Sequence, residues 1–173
     1  QFTRIKKLLL ASPRFAESKN VAHRLYFRLP EREHAYKVDL IPFGGVEASP
    51  NMIAWPPDMA VMMNVAGFSD ALAAAVTVEV SPGMEIAVAS LPGITILKVF
   101  AWDDRGRENP KDALDLVALL RSYNEAGNAD RIYEDAGALA ALEAVEYDPE
   151  LAGAWLLGSD VATMASRSTV AGL

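Results

Sequence analysis

Two cations stand at the spacing of a helix face in "LKVFAWDDRGR", residues 97–107. Lys98, Ala101 and Arg105 are 3 and 4 residues apart, so both cations share one face if a helix reaches Arg105. Only a small residue lies between them, and such a face can bind an anion. The alternative is that both are solvated helix charges whose aliphatic stems cover the core.

An acidic pair follows in "PKDALDLVALLRSY", residues 110–123. Lys111 and Asp112 fall in the first turn of a predicted helix, where the helix dipole favours the aspartate but not the lysine. Asp115 comes three residues after Asp112 and shares its face. Lys111 is therefore the residue that helix formation explains least. Asp112 has two interpretations, one as a dipole-stabilising residue with Asp115 solvated and one as a functional group.

A third feature is Asp39, in the middle of "YKVDLIPFGG", residues 36–45. In a β-strand both faces of this segment are largely apolar, so the pattern predicts a buried carboxylate. Burial of an unpartnered carboxylate is costly, and a cation, a metal ion or hydrogen-bond donors must then accompany it. The open alternatives are a metal ion, a cap on a neighbouring loop, and an ion pair with Arg24 or Lys98.

The elements that must position these residues begin with a strand-rich part. A short amphipathic helix is predicted over residues 1–11, and strands over 21–29 and 35–43 flank the charged loop "PEREH". A second hairpin is predicted for residues 75–80 and 85–91, because Pro-Gly in "SPGM" suits a tight turn.

A helical part follows. Pro92 can open the first of its helices, and a second helix is predicted over residues 110–127 with Gly127 at its C-terminus. Residues 128–173 are alanine-rich and helical in propensity. Three glycines there are expected to mark breaks or close-packing points: Gly137, Gly153 and Gly158. The predicted class is α+β, with a sheet-containing region over 1–90 and a helical region over 91–173.

Trp55 lies in the proline-rich segment "MIAWPPDM". It has two interpretations, as a lid that stacks on a nucleotide base or as a buried side chain that pins the loop. His23 and His34 fall on or beside the first predicted hairpin and are expected to be exposed.

Composition excludes several classes of function. Hydrophobic residues make up 51% and charged residues 23% of the 173 residues, which indicates a globular chain. The formal net charge of -7 argues against a dedicated binder of duplex DNA. Cysteine is absent, which excludes disulfides and thiolate sites, and two histidines leave little for a zinc site. No stretch reaches transmembrane length, so a cytoplasmic protein with no membrane partner is the simplest expectation.

The strand with Asp39, the helix "LKVFAWDDR" and the segment "KDALDLVALLRSY" together resemble minimal nucleotidyltransferases of the DNA-polymerase-β superfamily. The branch is the bacterial group of predicted nucleotidyltransferases and toxins of type IV abortive-infection toxin-antitoxin systems. In that branch a lysine helix is followed by an arginine, then by a basic residue and aspartate in sequence, with a second aspartate three positions on. The resemblance covers about residues 20–125.

The resemblance implies a partial nucleotidyltransferase-like mixed sheet and a divalent metal, Mg²⁺, which takes oxygen ligands. Asp39 corresponds to the carboxylate on a central strand, with an implied role in metal ligation or in activation of the acceptor hydroxyl. Lys98 and Arg105 would help to hold the triphosphate. Lys111 and Asp112 would brace that site or contact the nucleotide.

The sequence departs from the family pattern in one respect. The family supplies two further carboxylates from an Asp-x-Asp strand after a Gly-Ser turn, upstream of the strand with Asp39. "GSD" at 158–160 lies in the helical tail, and "ERE" at 31–33 lies in a charged loop. The chain begins at Gln1, so either an N-terminal segment is missing or the protein is a degenerate, metal-free relative. A missing segment is the favoured interpretation.

The implied function is transfer of NMP from an NTP to an acceptor, in phage defence as a toxin-antitoxin component. The acceptor is RNA, a protein or a small molecule, and an antitoxin protein is a further expected partner. The alternative is a catalytically incomplete nucleotide-binding or regulatory module with the same fold. A third alternative is a structural α+β domain whose resemblance is accidental.

Overall fold

The computed structural model of the protein describes residues 1–172 and has an α+β fold, about 47% helix and 18% strand. The predicted class and the helical C-terminal region are confirmed. The chain forms two compact units, residues 1–63 and a second unit that begins at Asn64. The expected division at residue 90 stays a prediction.

The first unit contains a helix and short strands. They are α1 (Phe2–Leu10), β1 (Phe15–Glu17), β2 (Arg24–Phe27), β3 (Tyr36–Asp39) and β4 (Met52–Trp55), with β5 (Val61–Asn64) at its end. β1, β2 and β3 form an antiparallel sheet in that order, in which Leu25 pairs with Val38 and Arg24 with Asp39. Leu25 is fully buried, whereas the outer strand β3 is mostly exposed. The antiparallel pairing of β2 with β3 confirms the predicted hairpin around the charged loop.

An aromatic group lies in the same unit. The Trp55 ring lies 5.6 Å from that of Phe2 and 4.6 Å from that of His23, measured between centroids. Trp55 is buried, as in the second of its two interpretations. His23 is also buried, so the expectation that it is exposed is wrong, because its ring packs against the indole.

The second unit starts with a short helix and a hairpin and continues as helices. Its elements are α2 (Phe68–Ala73), β6 (Val76–Ser81), β7 (Met84–Val88), α3 (Leu91–Arg105), α4 (Lys111–Ser122), a π-helical turn (Asn124–Asn128), α5 (Arg131–Glu134), α6 (Ala136–Ala144), α7 (Pro149–Met164) and α8 (Arg167–Val170). A core of apolar side chains joins the helices from α4 to α7: Tyr123, Ile132, Ala138, Leu142, Ala152, Leu156 and Leu157.

The helix boundaries follow from local chemistry. The Ser90 hydroxyl accepts a hydrogen bond from the Gly93 N–H and caps α3, with Pro92 in the first turn. α4 begins at Lys111 and ends at Ser122, short of the predicted residue 127. Gly127 lies in the π-helical turn with φ +85°, a left-handed conformation that glycine adopts without strain.

The strands form three small sheets within the part of the chain that the structure describes, and not one mixed sheet. β4 pairs with β5, and β6 pairs with β7 in antiparallel fashion across the predicted "SPGM" turn. The apolar side chains of the second hairpin lie exposed on one face: Val76, Val78, Val80, Met84, Ile86 and Val88. A short connection joins the two strands of each pair. Among residues 1–172, no further strand pairs with the outer edges of these two hairpins.

Candidate functional site

Helices α3 and α4 pack against each other and bring four charged side chains together. Lys98 Nζ donates to Asp112 Oδ1 at 2.9 Å and to Asp115 Oδ2 at 2.5 Å. Arg105 Nε donates to Asp112 Oδ2 at 2.7 Å. We call Lys98, Arg105, Asp112 and Asp115 the ion cluster. Its two cations come from one face of α3 and its two carboxylates from one face of α4, as the helical spacing indicates.

Asp112 is the centre of the ion cluster. Its side chain is only 1% exposed, and each of its oxygens accepts a hydrogen bond from a different cation. The hydrogen bond from Arg105 and that from Lys98 outweigh the effect of desolvation and lower the pKa of Asp112 to about 2. The carboxylate is therefore ionised near neutral pH and fixes both cations.

The two cations differ in exposure. The Lys98 side chain is 24% exposed and that of Arg105 is 56% exposed. Burial alone would lower the pKa of Lys98, but the hydrogen bonds from its ammonium group to Asp115 and Asp112 raise it. The hydrogen bond to Asp112 raises the pKa of Arg105. Both groups stay charged, and each keeps part of its surface open to an anion.

Lys111 stays outside the ion cluster. Its backbone N–H donates to the Asn109 side chain at 3.0 Å, and its own side chain is exposed at the start of α4. The ion pairs found among residues 1–172 do not include Lys111. The structure thus places Lys98, Arg105 and Asp112 together and leaves Lys111 in solvent.

Asp39 lies at the end of β3 and is paired with a cation. Arg24 Nε and Nη2 donate to its two carboxylate oxygens at 2.7 Å each. The prediction that Asp39 is buried is wrong, because its side chain is 35% exposed. β3 is the outer strand of its sheet within residues 1–172, and three of its four residues are exposed, so little of the chain packs against its faces. The Arg24 hydrogen bonds outweigh desolvation and lower the pKa of Asp39.

A divalent metal ion does not fit the acidic groups as they are arranged. No three histidine, aspartate or glutamate side chains converge as a metal-binding group in the described residues. Both oxygens of Asp39 are taken by a guanidinium, and Asp112 and Asp115 share the Lys98 ammonium. Cations of the chain itself already hold these carboxylates, and we derive no step through a metal ion.

A second polar cluster lies in the helical part and has no counterpart in the predictions. Arg131 donates to both oxygens of Asp160 at 2.8 Å, and the Tyr123 hydroxyl donates to the same carboxylate. Burial, and then the bond to Asp160, raise the pKa of Tyr123 to about 12. The partners are 29 and 37 residues apart along the chain, so no spacing signal could have found them. Their contacts tie α5 and the end of α4 to α7.

The α+β fold and its paired helices are consistent with the nucleotidyltransferase class that the resemblance implies. The family model described as nucleotidyl transferase AbiEii toxin, type IV TA system, matches residues 4–163. The chain belongs to this family, and membership implies a nucleotide substrate and an antitoxin partner. No curated protein and no solved structure matches the chain. Among the helices of residues 1–172, none has the length and apolar character needed to cross a membrane.

Proposed function

We propose that this protein binds a nucleoside triphosphate at the ion cluster and transfers its nucleoside monophosphate to an acceptor hydroxyl, with pyrophosphate as the leaving group, as the toxin of a type IV system. Family membership supports the reaction class. The observation that carries the proposal is the fixed pair Lys98 and Arg105, held by Asp112 at 2.9 and 2.7 Å with part of each cation exposed. Charge-assisted hydrogen bonds from such a pair suit phosphate oxygens.

The roles divide by position. Lys98 and Arg105 contact the triphosphate, and Asp112 positions both cations without touching the nucleotide. Lys111, exposed at the start of α4, contacts the nucleotide from solvent. Asp39 is the carboxylate that activates the acceptor hydroxyl, once Arg24 releases it. The Arg24 hydrogen bonds lower the pKa of Asp39 and so weaken it as a base, and the proposal therefore requires this release before the carboxylate accepts a proton.

We propose that Mg²⁺ enters the site bound to the substrate. Proteins often bind this ion through one or two carboxylates together with substrate phosphates, and not in a cage made of protein groups alone. The ion would therefore arrive with the nucleotide. The acceptor stays open between RNA, a protein and a small molecule, and we propose a cytoplasmic setting.

Replacing Lys98 with methionine tests the nucleotide site. Lys98→Met keeps the length of the aliphatic stem and removes the ammonium group. We expect affinity for Mg²⁺–ATP or Mg²⁺–GTP, measured by isothermal titration calorimetry, to fall about tenfold or more, as for a lost charge-assisted contact. Lys19→Met is the matched control, because Lys19 is exposed and lies outside the ion cluster. Equal affinity of both variants and the wild type would contradict the proposal.

A nucleotide-binding module without catalysis is the second candidate. It is favoured by the bidentate pairing of Asp39 with Arg24, which occupies both carboxylate oxygens. The two candidates separate in an assay with NTP labelled at the α-phosphate. An enzyme transfers the label to an acceptor in a cell extract and loses this activity in Asp39→Asn, whereas a module binds NTP and transfers no label.

A further inference from the structure

The two carboxylates that contact Lys98 are held unequally. Asp112 is 1% exposed and accepts from two cations, one on each oxygen. Asp115 is 39% exposed, and its one ion pair among the described residues is with Lys98. A buried carboxylate with two partners cannot move away without leaving two cations unpaired. A half-exposed carboxylate with one partner can rotate toward the solvent.

The charge of the ion cluster is balanced as it stands. Two cations meet two carboxylates, so an incoming phosphate finds no net positive charge there. Lys98 directs two of its ammonium hydrogen bonds to Asp112 and Asp115. An ammonium group has three donors, so one of these contacts must give way before a phosphate gains more than a single bond from Lys98.

We propose that Asp115 is a displaceable counter-ion of the nucleotide site, and the inference rests on the function proposed above. The Asp115 carboxylate accepts the hydrogen bond from Lys98 Nζ that a phosphate oxygen accepts in the bound state. Asp112 stays in place and keeps Lys98 and Arg105 aligned. The ligand class is a polyphosphate, and Asp115 lowers its affinity because a phosphate gains a second hydrogen bond from Lys98 only after the contact between Asp115 and Lys98 breaks.

Titration with inorganic tripolyphosphate tests this role without a nucleobase or a metal ion. Asp115→Asn keeps the side-chain shape and removes the competing charge, so we expect it to bind about three- to tenfold more tightly than the wild type in calorimetry at low salt. Asp115→Glu restores a carboxylate, and we expect its affinity to return to within about twofold of the wild type.

Asp103→Asn is the matched control, because it removes one negative charge from the exposed face of α3 outside the ion cluster. A general effect of net charge would make this variant bind as tightly as Asp115→Asn, and that result would overturn the proposal. Equal or weaker binding by Asp115→Asn, with binding lost in Lys98→Met, would overturn the counter-ion role and leave the nucleotide site standing. If neither the wild type nor Asp115→Asn binds tripolyphosphate or Mg²⁺–ATP, both proposals fail.

Discussion

Asp112→Asn is expected to lower the free energy of unfolding by about 2 kcal/mol near neutral pH. The pKa of Asp112 falls from the ordinary aspartate value of 3.8 to about 2 in the folded protein. Each pKa unit corresponds to about 1.4 kcal/mol of preferential stabilisation of the charged form. The Asp112 side chain is 1% exposed, so water screens its pair with Lys98 less than a surface pair, whereas it partly screens the pair with Arg105, which is 56% exposed. The amide of asparagine keeps the volume and cannot neutralise Lys98 and Arg105.

The stabilisation by Asp112 depends on pH. Because folding lowers the pKa of Asp112, its contribution to stability is fully present above about pH 4 and is lost as the pH falls through about 2. Other lowered carboxylates, such as Asp39 and Asp160, add to the acid sensitivity of the whole chain. The difference between wild type and Asp112→Asn isolates the contribution of Asp112.

Urea denaturation from pH 2 to pH 7 measures both quantities. We expect the two unfolding free energies to differ by about 2 kcal/mol near pH 7 and to converge toward pH 2. Asp103→Asn, which removes an exposed charge outside the ion cluster, should change the stability by less than about 0.5 kcal/mol. A constant difference across the range would show that lost packing, and not lost charge, causes the effect.

The ion cluster shows what the sequence can predict about a site. Helical spacing predicts that Lys98 and Arg105 share one face of α3 and that Asp112 and Asp115 share one face of α4. It does not predict that the two faces meet, because that depends on how two helices pack. Both Lys98 and Arg105 are ion-paired to α4, a contact that the interpretation of them as simple solvated charges does not include.

Asp39 shows where the sequence pattern misleads. Alternation of side chains predicts which residues share a face of a strand, but the burial of that face depends on what packs against it and on the strand's place in the sheet. Most residues of the outer strand β3 are exposed, which shows that little packs against its faces, so the segment lies half in solvent. The cross-strand partner Arg24, one of the alternatives left open, supplies the cation. The hairpins themselves were predictable because their turn residues act locally.

Replacement of two glycines of α7 by alanine is expected to change the free energy of unfolding in opposite directions. The sequence marks Gly153 and Gly158 alike as breaks or close-packing points, yet both lie inside one continuous helix. A Cβ atom at Gly153 would lie 2.8 Å from Asn124 Cβ and 2.9 Å from the Asn124 backbone nitrogen. A Cβ atom at Gly158 would meet no atom within 4 Å. Gly153 is therefore a close-packing point, and Gly158 is neither.

Gly153→Ala is expected to lower the free energy of unfolding by about 1–3 kcal/mol, because the backbone of the π-helical turn must move to admit the methyl group. Gly158→Ala is expected to raise it by about 0.5–1 kcal/mol, because alanine loses less backbone entropy in a helix and meets open space. Denaturant midpoints of the two variants, compared with the wild type at constant m-value, show whether each substitution raises or lowers the free energy of unfolding. Helix propensity alone would stabilise both variants, so a stable Gly153→Ala would contradict the close packing of α7 on the turn at Asn124.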